Sequence, residues 1–248
     1  MKKFLVPIVL LALCACGNRT ETADPNFVDI EPFSYADSVF LENEYSEGYA
    51  TYSIEMELPV TENKALHDNI LDWMLHSSNQ DPADYAKNDK NRFFKEDGNE
   101  PLSELISSYT LLEQTDLYVT YLTDGYLYTG GAHGMPWLSG KTFRKSDGQP
   151  VGYDIFDHPE QLKEIVLENL CSQYFGDTGT EMFESLIEWN EEFVLPEANP
   201  WVENDSIVFC YASYEIAPFS EGLPFCKISK DDIMPYLNEK GKSLFGTK

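Results

Sequence analysis

Positive charge is scarce in this sequence: 17 Lys and Arg stand against 43 Asp and Glu in 248 residues, a formal charge of −26. Nucleic acids are bound by neutralising phosphates with cations, so that function is excluded. An anionic lipid headgroup is repelled for the same reason. A cationic partner is attracted instead, and its encounter is accelerated at low salt. The same acidity also serves plain solubility. Long apolar runs are equally scarce. Phe4 to Leu13 covers about ten residues, far short of the roughly 20 that span a bilayer, and no later run is longer. Catalytic signatures are missing too. There is no Gly-x-Ser-x-Gly elbow, no phosphate-binding glycine loop, no His-Glu-x-x-His, and no Cys-x-x-Cys after the first sixteen residues. His67, His76, His133 and His158 are irregularly spaced, and no Asp-x-Asp-x-Asp-Gly run offers a calcium loop. Carboxylates are so numerous that no pair of them signals glycoside hydrolysis. No catalytic residue, metal or cofactor is expected.

The amino terminus carries the first positive signal. Lys2 and Lys3 precede the apolar stretch, which ends in Leu13-Cys14-Ala15-Cys16. This looks like a bacterial lipobox, with an aliphatic residue at −3 and a small one at −1. Leu13 is too bulky to stand at −1 before Cys14, so Cys16 is the expected lipidation site and residues 1–15 a signal peptide. Several acyl chains on one residue anchor stably where a single chain does not. The expected location is the bacterial cell envelope, outside the cytoplasm, with the membrane contacted through the lipid. Removal of Lys2 and Lys3 makes the rest of the chain more acidic still.

Aromatic residues make up 14% of the chain, with 15 Tyr and 15 Phe, which argues for a packed, sheet-rich body. Residues 16–40 read as a polar tether. Tyr45 to Pro59 alternates, placing Ala50, Tyr52, Ile54, Met56 and Leu58 on one face of a strand. Thr61 is positioned to cap a helix bearing Leu66, Ile70, Trp73 and Met74. Asp81 to Asn99 reads as irregular surface, Leu102 to Leu112 as a second helix, and Leu117 to Tyr128 as a strand. Asp147-Gly148 between Trp137–Lys145 and Val151–Phe156 signals a hairpin. Pro159 suits the first turn of a helix carrying Leu162, Ile165, Val166 and Leu170. A short helix over Glu181 to Trp189, strands at Ile207–Tyr214 and Leu223–Ile228, and a helix capped by Ser229 and Asp232 complete the pattern. Strands and helices without regular βαβ alternation imply an α+β fold, a mainly antiparallel sheet with helices on one face. Two subdomains are expected, over residues 41–115 and 116–248. Of the cysteines beyond the signal, Cys210 and Cys226 flank one loop; they either pair in an oxidising compartment or stay as buried thiols.

One segment stands out. Tyr128-Thr129-Gly130-Gly131-Ala132-His133-Gly134 ends a strand with three glycines, allowing positive φ and close approach to another surface. It reads as a binding loop with His133, Tyr128 and Trp137 in contact, or as a tight turn in which His133 satisfies backbone. Together with Thr142-Phe143, Asp147-Gly148 and Asp154-Ile155-Phe156, and with Tyr214-Glu215-Ile216-Ala217-Pro218-Phe219-Ser220-Glu221-Gly222, it forms a pattern. That pattern resembles the extracytoplasmic domain of lysozyme-responsive, sigma-V-type anti-sigma factors. A similar domain precedes the catalytic part of some peptidoglycan deacetylases. Phe219 stands where the family has Tyr. The resemblance covers roughly Leu117 to Leu237, with a weaker match to a companion domain over Tyr45 to Leu112.

The resemblance implies an α+β fold and recognition of lysozyme rather than catalysis. Neither a sigma-binding segment with a transmembrane helix nor a deacetylase domain is found in this sequence, so neither activity is expected to carry over. The leading expectation is an envelope binding protein for lysozyme or another cationic cell-wall hydrolase. Its contacts would lie at Gly130, Gly131, His133, Gly134, Trp137, Pro218, Phe219 and Gly222. A polysaccharide-binding module or weak glycan hydrolase, and an envelope scaffold without a small ligand, are the alternatives.

Overall fold

The computed structural model describes residues 24–175 and 193–246. Its fold is α+β, built on two sheets. The larger sheet has five strands in sequential order: β1 (Asp29–Glu42), β2 (Glu47–Val60), β3 (Glu104–Gln114), β4 (Tyr118–Tyr128) and β5 (Met135–Arg144). All neighbours are antiparallel except β2 and β3, which are parallel. A parallel pair needs a crossover, and α1 (Lys64–Leu75) and α2 (Pro82–Glu96) supply it. The alternation read in β2 is the cause of the layering. Ala50, Tyr52, Ile54 and Met56 are buried on one face, where Leu66, Ile70, Met74 and Phe93 of the two helices meet them.

The smaller sheet, β6 (Trp201–Glu203), β7 (Ser206–Cys210) and β8 (Phe225–Ser229), packs on the opposite face over β4 and β5. The contact is polar at its centre. The Val202 N–H donates to Thr142 Oγ1 at 2.8 Å, and Thr120 Oγ1 donates to the Val202 carbonyl, also at 2.8 Å. Thr120 and Thr142 lie 2.8 Å apart on paired strands, so Thr142 must donate to Thr120 and close a ring of three hydrogen bonds. Both threonines are fully buried. Beside them Trp201 lies on Gly140, where a Cβ would come within 2.3 Å of the indole.

Several segments differ from the sequence reading. Residues 29–40, expected in the tether, form most of β1. Phe33 and Tyr35 pack under the helices, while Ile30, Val39 and Phe40 stay exposed, so no clean alternation announces the strand. Asp81 to Asn99 is helical: Asp81 accepts from the Ala83 and Asp84 amides, and Pro82 starts the helix. Leu102 to Leu112 forms β3 rather than a helix. Leu105, Tyr109 and Leu111 face the helices at strand spacing, a pattern that also fits a helical turn. Asn63, not Thr61, caps α1, accepting from Leu66 N at 3.1 Å while its amide donates to the Lys145 carbonyl. The Asp147-Gly148 turn exists, with Gly148 at φ +69°, but the returning chain makes one bridge, Phe143 to Pro150, before a 3-10 turn at Tyr153–Ile155.

The structure also shows where the division expected at residues 115 and 116 lies. It falls in the turn joining β3 to β4, neighbours in one sheet. The 3-10 turn at Pro159–Leu162 leads into α3 (Lys163–Leu170), and Ser229 accepts from the Asp232 amide to start the turn at Lys230–Ile233, as expected. The proposed helix at Glu181 to Trp189, and Cys16 with its signal peptide, lie outside the described residues.

Cys210 and Cys226 are free thiols. Cys226 sits opposite Phe209, so Cys210, one residue on, points to the other face of the small sheet. Cys226 joins the core with α3, whereas Cys210 packs with Trp201 and Val208. Burial pushes both thiols up to about 12. At neutral pH both should resist thiol reagents until denaturant is added, and mass spectrometry after alkylation should find no bridge between them. A Cys210–Cys226 crosslink would contradict this geometry. For the hydrogen-bonded ring, Thr142→Val should lower unfolding free energy by about 1–3 kcal/mol, because it orphans a buried amide. Thr142→Ser should restore most of the loss in the same denaturant titration.

Candidate functional site

The two sequence motifs meet on the face that carries the smaller sheet. Residues 129–134 connect β4 to β5. Gly130 and Gly131 take φ of +100° and +92°, conformations that side chains rarely adopt, and a Cβ on either would meet nothing within 4 Å. They form an open tip. Gly134 differs: a Cβ there would lie 2.4 Å from Tyr126 Cζ and 2.6 Å from the Leu127 carbonyl oxygen. Its amide donates to the Tyr126 hydroxyl at 3.0 Å, which fixes the base of the loop. Tyr128 closes the other side by donating to the Gly131 carbonyl at 3.0 Å.

His133 projects from this base onto the second motif. Its ring stacks on Phe219 with centroids 3.7 Å apart and planes 14° apart. Its Nδ1 lies 3.1 Å from the Gly134 carbonyl oxygen, and its Nε2 lies 3.2 Å from the Tyr214 hydroxyl. A carbonyl only accepts, so Nδ1 carries the proton and Nε2 accepts from Tyr214. One tautomer satisfies both contacts. The Tyr214 ring lies 5.9 Å from that of Phe219, completing a three-ring cluster.

The second loop is held from behind. Ile216 and Ala217 are buried in the core with α3. The Glu215 carboxylate accepts from the Ala212 and Glu197 amides, each at 2.7 Å. Gly222, at φ +73°, ends a 3-10 turn over Phe219–Glu221, and Tyr174 donates to the neighbouring Glu221 carbonyl. Burial of 216 and 217 therefore leaves Tyr214 and Pro218 exposed and Phe219 half-buried on a rigid support.

Of the eight expected contact residues, seven belong to these two loops. Trp137 does not. It pairs with Gly125 and lies directly over it, on the helix-bearing face of the sheet, because it is offset by an odd number of positions from Leu138 and Thr142. Two members were not singled out as contacts by the sequence. Tyr214 stood in the motif without being named as a contact. Tyr126 left a signal only in its alternation within β4. Among the described residues no cluster of His, Cys, Asp and Glu is arranged to hold a metal ion.

The two roles of glycine are separable. Gly130→Ala meets only backbone strain, on the order of 1–3 kcal/mol. Gly134→Ala should force Tyr126 aside and unstack His133, so the upfield ring-current shift of the His133 imidazole protons should collapse in NMR spectra. If that shift survives Gly134→Ala, the glycine does not set the stack.

Comparison with known proteins places two family descriptions on the chain. Residues 46–136 match that of the deacetylase PdaC, and residues 153–231 match that of DUF3298, a protein family of unknown function. The boundary lies later than the sequence motifs suggested, so the glycine-loop motif of residues 128–134 falls in the first match and the Phe219 motif in the second. Two solved structures share the fold. A DUF3298 family member from Bacteroides fragilis NCTC 9343 superposes with a TM-score of 0.69 at 17% identity, over 88% of this chain and 96% of its own. A DUF3298 family protein from Pseudomonas aeruginosa PAO1 gives 0.59 at 17% identity, over 87% and 96%. No curated protein matches the chain. The chain is thus similar to PdaC over residues 46–136 and to DUF3298 over residues 153–231, it shares the fold of two DUF3298 family structures, and its aromatic loop cluster takes His133 from the first match and Phe219 from the second.

Proposed function

We propose that this protein is a lipid-anchored component of the bacterial envelope that captures a basic protein, a lysozyme or another cationic cell-wall hydrolase, through the His133–Tyr214–Phe219 cluster. The observation that carries this reading is the convergence of the two motifs, 81 residues apart between His133 and Tyr214. Aromatic side chains on rigid supports, ringed by weaker contacts, are the usual energetic centres of protein interfaces. Gly130 and Gly131 add a side-chain-free tip that a partner's backbone can approach. The surplus of carboxylates supplies long-range attraction for a basic partner and raises its association rate. These groups suit binding, since rings and approachable backbone dominate the cluster.

Anchoring follows from Cys16. Cys16→Ala should move the protein from the membrane to the soluble fraction and abolish labelling by radioactive palmitate. Retention of both would end the lipid-anchor reading. For the partner, titration calorimetry of residues 24–248 with a panel of lysozymes at two salt concentrations is decisive. Saturable binding is expected at low salt, weakened about tenfold or more by Phe219→Ala, a loss of roughly 1.4 kcal/mol or more. Binding that vanishes at moderate salt and ignores Phe219→Ala would reflect charge alone.

A further inference from the structure

A stable protein–protein interface covers about 800 Å² on each partner, with a desolvated centre. His133, Tyr214, Pro218 and Phe219 form a small cluster at one end of β4 and β5, so a partner seated there must also touch neighbouring surface. The surface next to it is unusual. The smaller sheet covers the outer face of the large sheet over β4, β5 and the far end of β3, through Leu122, Leu138 and Leu112. Over β1, β2 and the first half of β3 nothing among the described residues covers that face. Phe40, Tyr49 and Ile106 stand on it at 50%, 59% and 43% exposure, and Phe40 packs edge-on against Tyr49 with centroids 5.4 Å apart. A groove of about 380 Å³ runs beside them, lined by Ser38, Thr51, Ser53 and Glu104.

The electrostatics of this face are one-sided. β1 to β4 contain no lysine or arginine at all. The strand register puts Glu42, Glu47, Glu55, Glu104 and Asp124 on the same face as Phe40 and Tyr49. It also connects this face to the loop cluster: Ile106 pairs with Tyr126, the support of Gly134, and Glu104 pairs with Tyr128. From β1 to β4 is three strand spacings, roughly 15 Å, which is within one interface footprint.

We infer that the bare face of β1–β3 is the second half of the partner-binding surface, a carboxylate-rimmed aromatic patch that receives the lysine- and arginine-rich side of the same basic protein. This rests on the reading that the loop cluster binds such a protein. The apolar centre supplies desolvated contact, and the surrounding carboxylates select a cationic partner and steer its approach. Phe40, Tyr49 and Glu55 are exposed and Glu104 is half-buried outside the core, so replacing them leaves the core alone.

The test uses the soluble chain, with egg-white lysozyme as the probe, and compares three proteins by calorimetry and stopped-flow association. Phe40→Ser with Tyr49→Ser should weaken binding about tenfold or more, chiefly through faster dissociation. Glu55→Gln with Glu104→Gln should slow association several-fold at low salt and flatten its salt dependence. Phe219→Ala serves as the reference for the loop cluster. If Phe219→Ala weakens binding while both face variants match the parent, this inference is overturned and the loop-cluster reading stands. If the parent protein binds no lysozyme at low salt, both are overturned. Circular dichroism identical to the parent's guards against misfolding, and if the Phe40/Tyr49 variant fails that check, Phe40→Gln alone replaces it.

Discussion

The aromatic loop cluster of this molecule depends on a ring of hydrogen bonds far from the surface. Val202 presents an amide and a carbonyl to the large sheet, and Thr142 and Thr120 answer them in order. Without that ring the smaller sheet would press two backbone polar groups against an apolar wall, at a penalty of about 1–3 kcal/mol for each unpaired group. With it, the second sheet has one seating. Trp201 then drops onto Gly140, and Ile216 and Ala217 are carried into the core beside α3. The position of Phe219 against His133 is the far end of this chain of contacts. The ring joins residues 60 and 82 positions apart, so it forms only after β4 and β5 have paired.

Much of this was legible in the sequence, and the failures share one physical cause. β2 was readable because one of its faces is buried and the other wet, which writes a strict alternation. β4 was readable from its density of Tyr, Val, Leu and Thr. The motif segments were readable because glycine-rich loops need particular backbone conformations that few other residues allow. β1 was hidden because it is the edge of the sheet and half uncovered: only Phe33 and Tyr35 carry the inward signal, among carboxylates, serines and a proline. β3 was hidden for the opposite reason. It is central, semi-buried on both faces, and its apolar residues at 105, 109 and 111 suit either period. α2 was hidden by its polarity, since Ala86 and Phe93 alone reach the core, although Asp81-Pro82 gave its start.

The site itself was half legible. Both loops could be named from their residues, but their meeting could not, because stacking between His133 and Phe219 is a property of how two sheets cross. Trp137 shows the limit from the other side. An aromatic residue four positions from His133 looked like a member of the same surface, yet a strand turns successive side chains to opposite faces. A single step of parity sent it over Gly125, under the helix layer. The cysteines obey the same rule. Cys210 and Cys226 are close in the sheet but one position out of register, and that offset forbids a bridge more firmly than any redox condition.

The bare edge of β1 has a meaning of its own. In the order of the large sheet β1 is terminal, so one side of its 14-residue ladder lacks a strand neighbour among the described residues. Such an edge is a template on which a second chain can add, the first step toward ribbons and fibres. Here Pro32 removes one donor, and Asp29, Glu31, Asp37 and Glu42 place like charges along the rim. Two copies brought edge to edge would crowd these like charges together, so the edge opposes pairing with its own kind while staying open to cations.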